Sequence, residues 1–445
     1  SKNRFAQPFV APPQAARKSS KAAVNRCDST CLHAYCASVG RLIFCQSMEN
    51  LFDFLGLMQI LVGLYLVYQG VGWLAFARRR ATTDPGFYSP RTAVLCPCKG
   101  VEPGLERNLT ALCELDHQNY EVFFTLASES DPAASIVKRV ASQSRGKTHV
   151  VFAGPPQDCS EKINNLRAAI QQLPEDFEVL VFADSDGRPG HSWLRRLTAP
   201  LADSRLGAAT TMRWLIPNNN GLPSVLLAAW NAPVVTMLGE NTSTNFCWGG
   251  GTAIRRNTFE QSGVLDQWQN SVSDDHSMTT ALRRVNLPIV FLPECLTVSY
   301  VQTDFPGLLE FTNRQVLITR VYSPKMWAIA GATHLLFCAT ILLGIYLTLV
   351  NLLAGRPSLP FAALTFLPLL LASIRSALRI TAVQELLPTL KSQVQQQLWI
   401  YMLLGVWIPF LYLGNFIVSM VTKKIRWRGI RYELVSSQQT RIIAQ

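Results

Sequence analysis

Two kinds of hydrophobic patterning alternate along this chain. Residues 51–77 form a nearly uninterrupted apolar run, and 326–353, 360–378 and 398–421 form three more. At about 1.5 Å of rise per residue, each is long enough to reach through the hydrocarbon core of a bilayer. Residues 90–300 read differently. Short β-branched and apolar runs at 92–96, 121–127, 149–153, 178–183 and 206–212 are separated by helix-period segments, among them 105–115, 133–142, 162–172 and 192–201. That order predicts a doubly wound α/β domain with a mostly parallel sheet, inserted between transmembrane helices. Such sheets bind ligands beyond the carboxyl ends of their strands. Segments 308–322 and 381–397 mix apolar and polar residues at helical spacing, which suits an amphipathic helix on the membrane surface or one packed on the soluble domain.

These patterns divide the chain into a basic N-terminal tail (1–50), a transmembrane helix with a basic flank (51–80), a soluble domain (82–303), an interfacial amphipathic helix (304–325), C-terminal membrane helices (326–422) and a basic tail (423–445). Charge then orients the pieces. Only 16% of the 445 residues are charged and 49% are hydrophobic, against about 25% charged in ordinary soluble proteins. A fully soluble or disordered chain is excluded. The net charge of +12 needs no nucleic acid, because basic residues flanking lipid-spanning helices account for it. Arg78, Arg79 and Arg80 directly follow the first span, so the domain after it is expected to face the cytosol or the equivalent face of another membrane. The same rule puts Lys423, Lys424, Arg426, Arg428 and Arg431 in the cytosol, yet three further crossings would leave them outside. One C-terminal segment is therefore expected not to cross simply. Pro360, Pro368 and Arg375 mark the middle one as a candidate, and Pro409 the last. Residues 1–26 are basic, with no acid, and suit a disordered tail or an organelle address. The 11 cysteines are irregularly spaced. Cys27, Cys31 and Cys36 lack the pairing of a metal site, and the set reads as reduced thiols.

The strongest chemical signal is Asp184-Ser185-Asp186, which ends an expected buried strand. Two carboxylates at i and i+2 of an extended segment can flank a hard Mg²⁺ or Mn²⁺ that bridges phosphates; a solvated acidic turn has the same appearance. Asp274-Asp275 opens an expected helix with Ser273 as its cap. The pair is either helix-terminal charge or the source of a general base taking a hydroxyl proton. Trp248-Gly249-Gly250-Gly251 allows close backbone approach beside a ring able to stack on a sugar, or is a plain tight turn. Glu129 or Asp131, after the second strand, can hold a base or ribose, and Lys162 can meet a phosphate.

Taken in order, these pieces resemble the membrane-bound family 2-type glycosyltransferases, most of all the ceramide glucosyltransferase group and its hopanoid-associated bacterial relatives. Cys98-Lys99-Gly100-Val101-Glu102-Pro103 resembles the family's lysine-glycine segment after the first strand. Glu114-Leu115-Asp116 before Tyr120-Glu121-Val122 resembles its next strand entry, and Lys162-Ile163-Asn164-Asn165-Leu166 its KxxNL segment. Asp184 and Asp186 stand on its metal and nucleotide carboxylates. Cys247 to Gly250 with Arg255 resemble its acceptor-side turn. Asp275 stands on the second member of its acidic pair, the catalytic base. Arg426-Trp427-Arg428-Gly429 with Arg431-Tyr432 resembles its C-terminal WRGR-type segment. Two positions depart. Ser128 stands where the family's first nucleotide-binding aspartate falls. The (Q/R)xxRW motif keeps Arg314, but Leu317 and Ile318 follow where Arg and Trp would; a shifted alignment puts Arg320 on the arginine and Val321 on the Trp.

The resemblance implies a GT-A-like nucleotide-sugar domain. It also implies inverting transfer of one hexose, glucose foremost, from a UDP-sugar to a hydroxyl of a membrane lipid (ceramide first, then diacylglycerol, sterol or hopanoid). Asp275 would be the base. Asp186 with Asp184 would hold Mg²⁺ or Mn²⁺. Arg320 or Arg314 would neutralise the leaving group. Lys162 with Glu129 or Asp131 would grip the nucleotide, Trp248 and Gly249 would line the acceptor side, and Trp427 and Arg428 would contact substrate. Three other readings stand beside it: a processive polysaccharide synthase, disfavoured by the missing Trp; a polyprenyl-phosphate glycosyltransferase; and an inactive membrane scaffold that keeps the fold.

Overall fold

The computed structural model describes residues 29–219 and 221–444, with side chains from Gln46 onward. The expectations for residues 1–26 and for the side chains of Cys27, Cys31 and Cys36 lie outside the described residues.

The chain opens with a helix, α1 (Ser29–Thr82), which begins well before the boundary at residue 51 that hydropathy suggested. The α/β domain follows as β1 (Thr92–Pro97), α2 (Leu105–Cys113), β2 (Tyr120–Leu126), α3 (Ala134–Gln143), β3 (Lys147–Phe152), α4 (Glu161–Gln171), β4 (Val179–Ala183), α5 (Trp193–Thr198), β5 (Ala208–Thr210), β6 (Arg213–Pro217), α6 (Leu222–Val235) and β7 (Gly251–Arg255). After two short helices come α7 (Asp274–Arg284), β8 (Ile289–Phe291), β9 (Thr297–Val301) and α8 (Phe305–Tyr322).

Seven strands form one mixed sheet in the order β3-β2-β1-β4-β7-β5-β8. β3, β2, β1 and β4 are parallel, whereas β7 runs antiparallel to both β4 and β5. The strand order reverses at β1 and β4, which makes the crevice beyond their carboxyl ends the natural ligand site. β1 and β4 read as continuous apolar runs because both faces are covered. Val94, Val122 and Val181 pack beneath α2 and α3, while Ala93, Leu95 and Leu180 pack against Ile163, Leu166 and Trp268 on the opposite face. The segment expected as one strand over 206–212 is two: β5 stays in the main sheet, and β6 leaves it to pair in parallel with β9.

Among the described residues three helices are long and apolar enough to cross a membrane: the 46–82 part of α1, then α9 (Pro324–Leu353) and α10 (Leu359–Leu386). α1 and α10 run in the same direction in close contact. Gly56, Gly63 and Gly70 of α1 recur every seventh residue, and a Cβ at each would lie 3.1, 2.8 and 3.2 Å from Leu364, Leu371 and Leu378. Small residues facing large ones allow this packing in lipid, where no hydrophobic effect pulls helices together.

The last of the expected spans is bent. α11 (Leu398–Leu404) and α12 (Ile408–Val421) meet at 56°, and Pro409 sits in the first turn of α12. At the entry, Trp214 of β6 donates to Gln397 Oε1 at 3.3 Å. At the exit, Arg320 of α8 donates to the carbonyls of Ser419 and Thr422. Between them Phe410 and Leu413 reach inward to Phe337, Cys338 and Ile341 of α9. Both ends of the bent pair are therefore tied to elements of the α/β domain, as a re-entrant element requires. The basic residues after it end on the same side as Arg78–Arg80, which removes the conflict posed by the charge rule.

Residues expected as a basic tail form instead a three-stranded antiparallel sheet, β10 (Lys424–Trp427), β11 (Ile430–Ser436) and β12 (Gln439–Ala444). Alternation explains it: Ile425, Ile430, Tyr432 and Leu434 are buried against Val272, Leu317 and Ile318, and the charged residues face out. The turn between β10 and β11 holds Arg428 at φ 51° and Gly429 at φ 86°, as a tight hairpin requires.

Candidate active site

A cavity of about 490 Å³ opens where the strand order reverses. Its floor is made by the ends of β1 and β4, which deliver Cys98 and Asp184 through Asp186. One wall is the start of α7, and the opposite wall is α8 and the β10–β11 turn. α4 begins at the cap Ser160, whose hydroxyl accepts from Ile163 N–H at 3.3 Å, and this places Lys162 in the first turn, pointing inward. Ser273 caps α7 in the same way for His276 N–H. The local signals that start these two helices therefore also aim the site's charged side chains.

Cations and carboxylates interleave around the cavity. Lys162 Nζ lies 2.7 Å from Asp184 and 3.1 Å from Asp274. Arg213, at the start of β6, is 2.7 Å from Asp186. Arg428 pairs with Glu102 and also donates to the Lys99 carbonyl at 2.7 Å. Arg314 stands between the rings of Phe311 and Trp427, 5.1 and 5.3 Å from their centroids. Burial lowers its guanidinium to about 10, with Glu310 pulling the other way. Burial penalises the Lys162 ammonium too, but Asp184 and Asp274 outweigh it and hold the proton firmly. The pair is unequal. Asp184 is buried, yet Lys162 and Arg213 keep it below the ordinary carboxylate range. Asp274, the more distant partner, is pushed up to about 7 by burial, with Asp275 and Asp184 adding to the rise against Lys162. Glu102 also rises to about 7, by burial and the Asp186 charge, opposed by Arg428.

The Asp274 shift has a definite sign. A carboxyl at 3.8 when unfolded and about 7 when folded favours the native state while protonated. That contribution declines as pH rises from about 4 to about 7 and is constant above. The thermal midpoint of the wild type relative to Asp274→Asn is expected to fall across that window. A gap unchanged between pH 4.5 and 8 would show that Asp274 is not held protonated by burial.

The structure brings together Lys162, Asp184, Asp186, Trp248, Asp275, Arg314, Trp427 and Arg428, all on this cavity. Gly249 packs directly behind it, where a Cβ would collide with Asp274 Oδ2 and Lys162 Nζ. Three expected residues are elsewhere. Glu129 is exposed and pairs with Lys138. Asp131 accepts from the N–H groups of Gly100 and Ala133, each at 2.8 Å, and so shapes the loop after β1 without lining the cavity. Arg320 donates to the end of α12, whereas Arg314 lines the cavity. Arg320→Gln is expected to lower the thermal midpoint by several degrees, as for a loss of about 1–2 kcal/mol, and to leave nucleotide affinity within about twofold. A tenfold loss of affinity would return Arg320 to the site.

Glu102 and Arg213 line the cavity with no role expected from the sequence, and Asp274 with only the one it shares with Asp275. Glu102 and Asp274 sit inside motifs that drew attention to their neighbours Lys99 and Asp275. Arg213 carried no signal, because only the departure of β6 from the main sheet turns it inward.

Residues 55–440 match glycosyl transferase family 21. Among solved structures, the mannosyltransferase PcManGT from Pyrobaculum calidifontis, in complex with GDP-Man and Mn²⁺, is 16% identical with a TM-score of 0.44, covering 83% of this chain and 98% of that one. A structure described as a mycobacterial protein is 13% identical with a TM-score of 0.34, covering 56% of this chain and 78% of that one.

Proposed function

The chain belongs to glycosyl transferase family 21, the ceramide glucosyltransferase family, and from that premise we propose that it moves a single hexose from a UDP-sugar to the hydroxyl of a membrane lipid, ceramide foremost, with inversion at C1. The observation that carries the reading is the disposition of Asp275. Its Oδ1 accepts from Ser273 Oγ and, at 2.7 Å, from His276 N–H. Its Oδ2 accepts no hydrogen bond among the described residues, and Asp275 lines the cavity shared by Asp184 and Asp186. A carboxylate with one oxygen anchored and one open is built to take a proton.

In the proposed step the lipid oxygen attacks C1, the C1–O bond to the nucleotide breaks, and the lipid proton passes to Asp275 Oδ2. An α-linked donor then gives a β-glycolipid. Lys162, Arg213, Arg314 and Arg428 surround the position of the diphosphate and offset the charge that grows on it. Trp248 and Trp427 offer ring faces for the sugar and its acceptor. A Mg²⁺ or Mn²⁺ fits the carboxylates: Asp186 Oδ1 is buried without a hydrogen-bond partner beside Asp184, and oxygen donors suit hard cations. Among the described residues no group of three or more His, Cys, Asp or Glu could hold an ion, so these two aspartates would share it with diphosphate oxygens. Such an ion supplies Lewis-acid neutralisation of the leaving group.

The test is transfer from labelled UDP-glucose to ceramide, diacylglycerol, sterol and hopanoid alcohol by the purified full chain, with products read by mass spectrometry. A β-hexosylceramide is expected. Failure with every acceptor while nucleotide still binds would overturn the enzyme reading, and a long polymer would replace it with a synthase. The domain is placed on the cytosolic face. Asn108-Leu109-Thr110 and Asn241-Thr242-Ser243 are N-glycosylation sequons; Asn108 is buried, donating to the Ser185 carbonyl at 3.2 Å, so exposed Asn241 is the one that reports orientation. Glycan on Asn241 after synthesis in a secretory membrane would reverse the placement.

A further inference from the structure

A second cavity, of about 380 Å³, lies away from the site just described, between α1, α10 and the loop after α6. Its walls include Trp73 and Phe76 of α1, Leu238 of the loop, and two arginines of α10, Arg375 and Arg379. Trp73 fixes the loop by donating to the Leu238 carbonyl at 2.9 Å. The arginines are one helical turn apart on a helix apolar enough to cross a membrane. Arg379 is only 8% exposed, its Nε has no hydrogen-bond partner, and neither arginine has a hydrogen bond or ion pair among the described residues.

Nearby groups do not neutralise the pair. Glu240, at the cavity rim, is taken by Arg79, and Glu385, further along α10, by Arg78. The polar groups closest in charge terms to the pair are Tyr401, Tyr412 and His334. Tyr412 already donates to the Trp230 carbonyl at 2.9 Å, and His334 is bonded to the Ala330 carbonyl at 2.7 Å. Two adjacent like charges in an apolar helix are costly without a counter-ion, and such residues mark binding sites when no protein partner exists. The level is right for a headgroup, since the Arg78–Glu385 and Arg79–Glu240 pairs stand about a turn or two above, where α1 emerges toward the domain.

We propose that this cavity binds the phosphate of an anionic membrane phospholipid, with Arg375 and Arg379 as its ligands and the apolar walls of α1 and the loop beside its acyl-linked end. Guanidinium forks suit phosphate oxygens, and basic pockets between membrane helices hold anionic headgroups. The site is independent of which sugar the enzyme moves.

The experiment is native mass spectrometry of the detergent-purified full chain with equal phosphatidylglycerol and phosphatidylcholine. One phosphatidylglycerol is expected to be retained with a preference of roughly tenfold. The Arg375→Gln, Arg379→Gln double variant is expected to lose that preference while binding UDP within about twofold of the wild type. Gly72→Leu is the second variant: Gly72 lines the cavity, and a Cβ there meets nothing within 4 Å, so it fills the space without touching an arginine. It too should lose the preference, and it carries the test if the double variant does not fold. Equal retention of the two lipids by the wild type overturns the proposal, as does unchanged preference in a folded variant. Thermal stabilisation by inorganic phosphate equal to that by phosphatidylglycerol would also overturn it, in favour of a free-anion site.

Discussion

Asp275→Asn is expected to lower kcat for lipid glycosylation by about 10²–10⁴, the range a positioned general base supplies, while UDP affinity stays within a few-fold. Asn preserves the bonds from Ser273 and His276, because its carbonyl oxygen can occupy the place of Oδ1. Only the free Oδ2 changes, into an amide that cannot accept the acceptor's proton. The loss should therefore appear in kcat and leave KM for the donor nearly unchanged, the pattern of an interaction made in the transition state. A variant that keeps a tenth or more of wild-type turnover would move the base elsewhere, with Asp274 the first place to look.

Lys162→Met is expected to be the most damaging single change at the site for folding as well as for binding. Lys162 is the shared counter-charge of Asp184 and Asp274, and its side chain is mostly buried. Removing one partner of a buried pair costs about 3–5 kcal/mol. Here loss of the ammonium leaves two carboxylates facing one another beside a third, so Asp274, already raised, should take up a proton while Asp184 keeps only Arg213 and Arg428 as counter-charges. The expected results are a thermal midpoint lowered by many degrees and a nucleotide affinity weakened at least about a hundredfold. Adding Asp274→Asn should restore much of the stability and little of the affinity, which separates the structural half of the role from the binding half. Full additivity of the two substitutions would show that the bond to Asp274 is unimportant.

The α/β half of the molecule was legible because its signals are local. β1 and β4 are continuous apolar runs, and α4 and α7 carry caps at Ser160 and Ser273 that a sequence displays directly. Asp184, Asp186 and Asp275 follow from position on such elements. The failures all involve distance along the chain. Arg314 and Arg320 lie on one helix two turns apart, and only the position of α12, some 100 residues later, tells which faces the cavity. Asp131 has the chemistry of a ribose ligand, but the Gly100 amide claims it. Residues 423–445 look like a basic tail because their charged side chains alternate with just enough apolar ones to make one buried face. The bent pair could be read as a span by length alone, and its re-entrant path depends on Trp214 and Arg320 holding its two ends.

The C-terminal sheet also sets the order in which this protein can be made. Arg428 reaches back across 329 positions to the Lys99 carbonyl, and α9, α10 and the bent pair are all synthesised before it. The nucleotide-facing wall is therefore completed only after the membrane helices have been inserted with β10 and β11 on the same side as the domain. Correct insertion becomes a precondition for catalysis. A chain threaded the other way would leave Arg428 and Trp427 unable to reach the cavity they line. For the same reason the domain over residues 82–303, produced alone, lacks Arg314, Trp427 and Arg428 and is a scaffold without one side of its site.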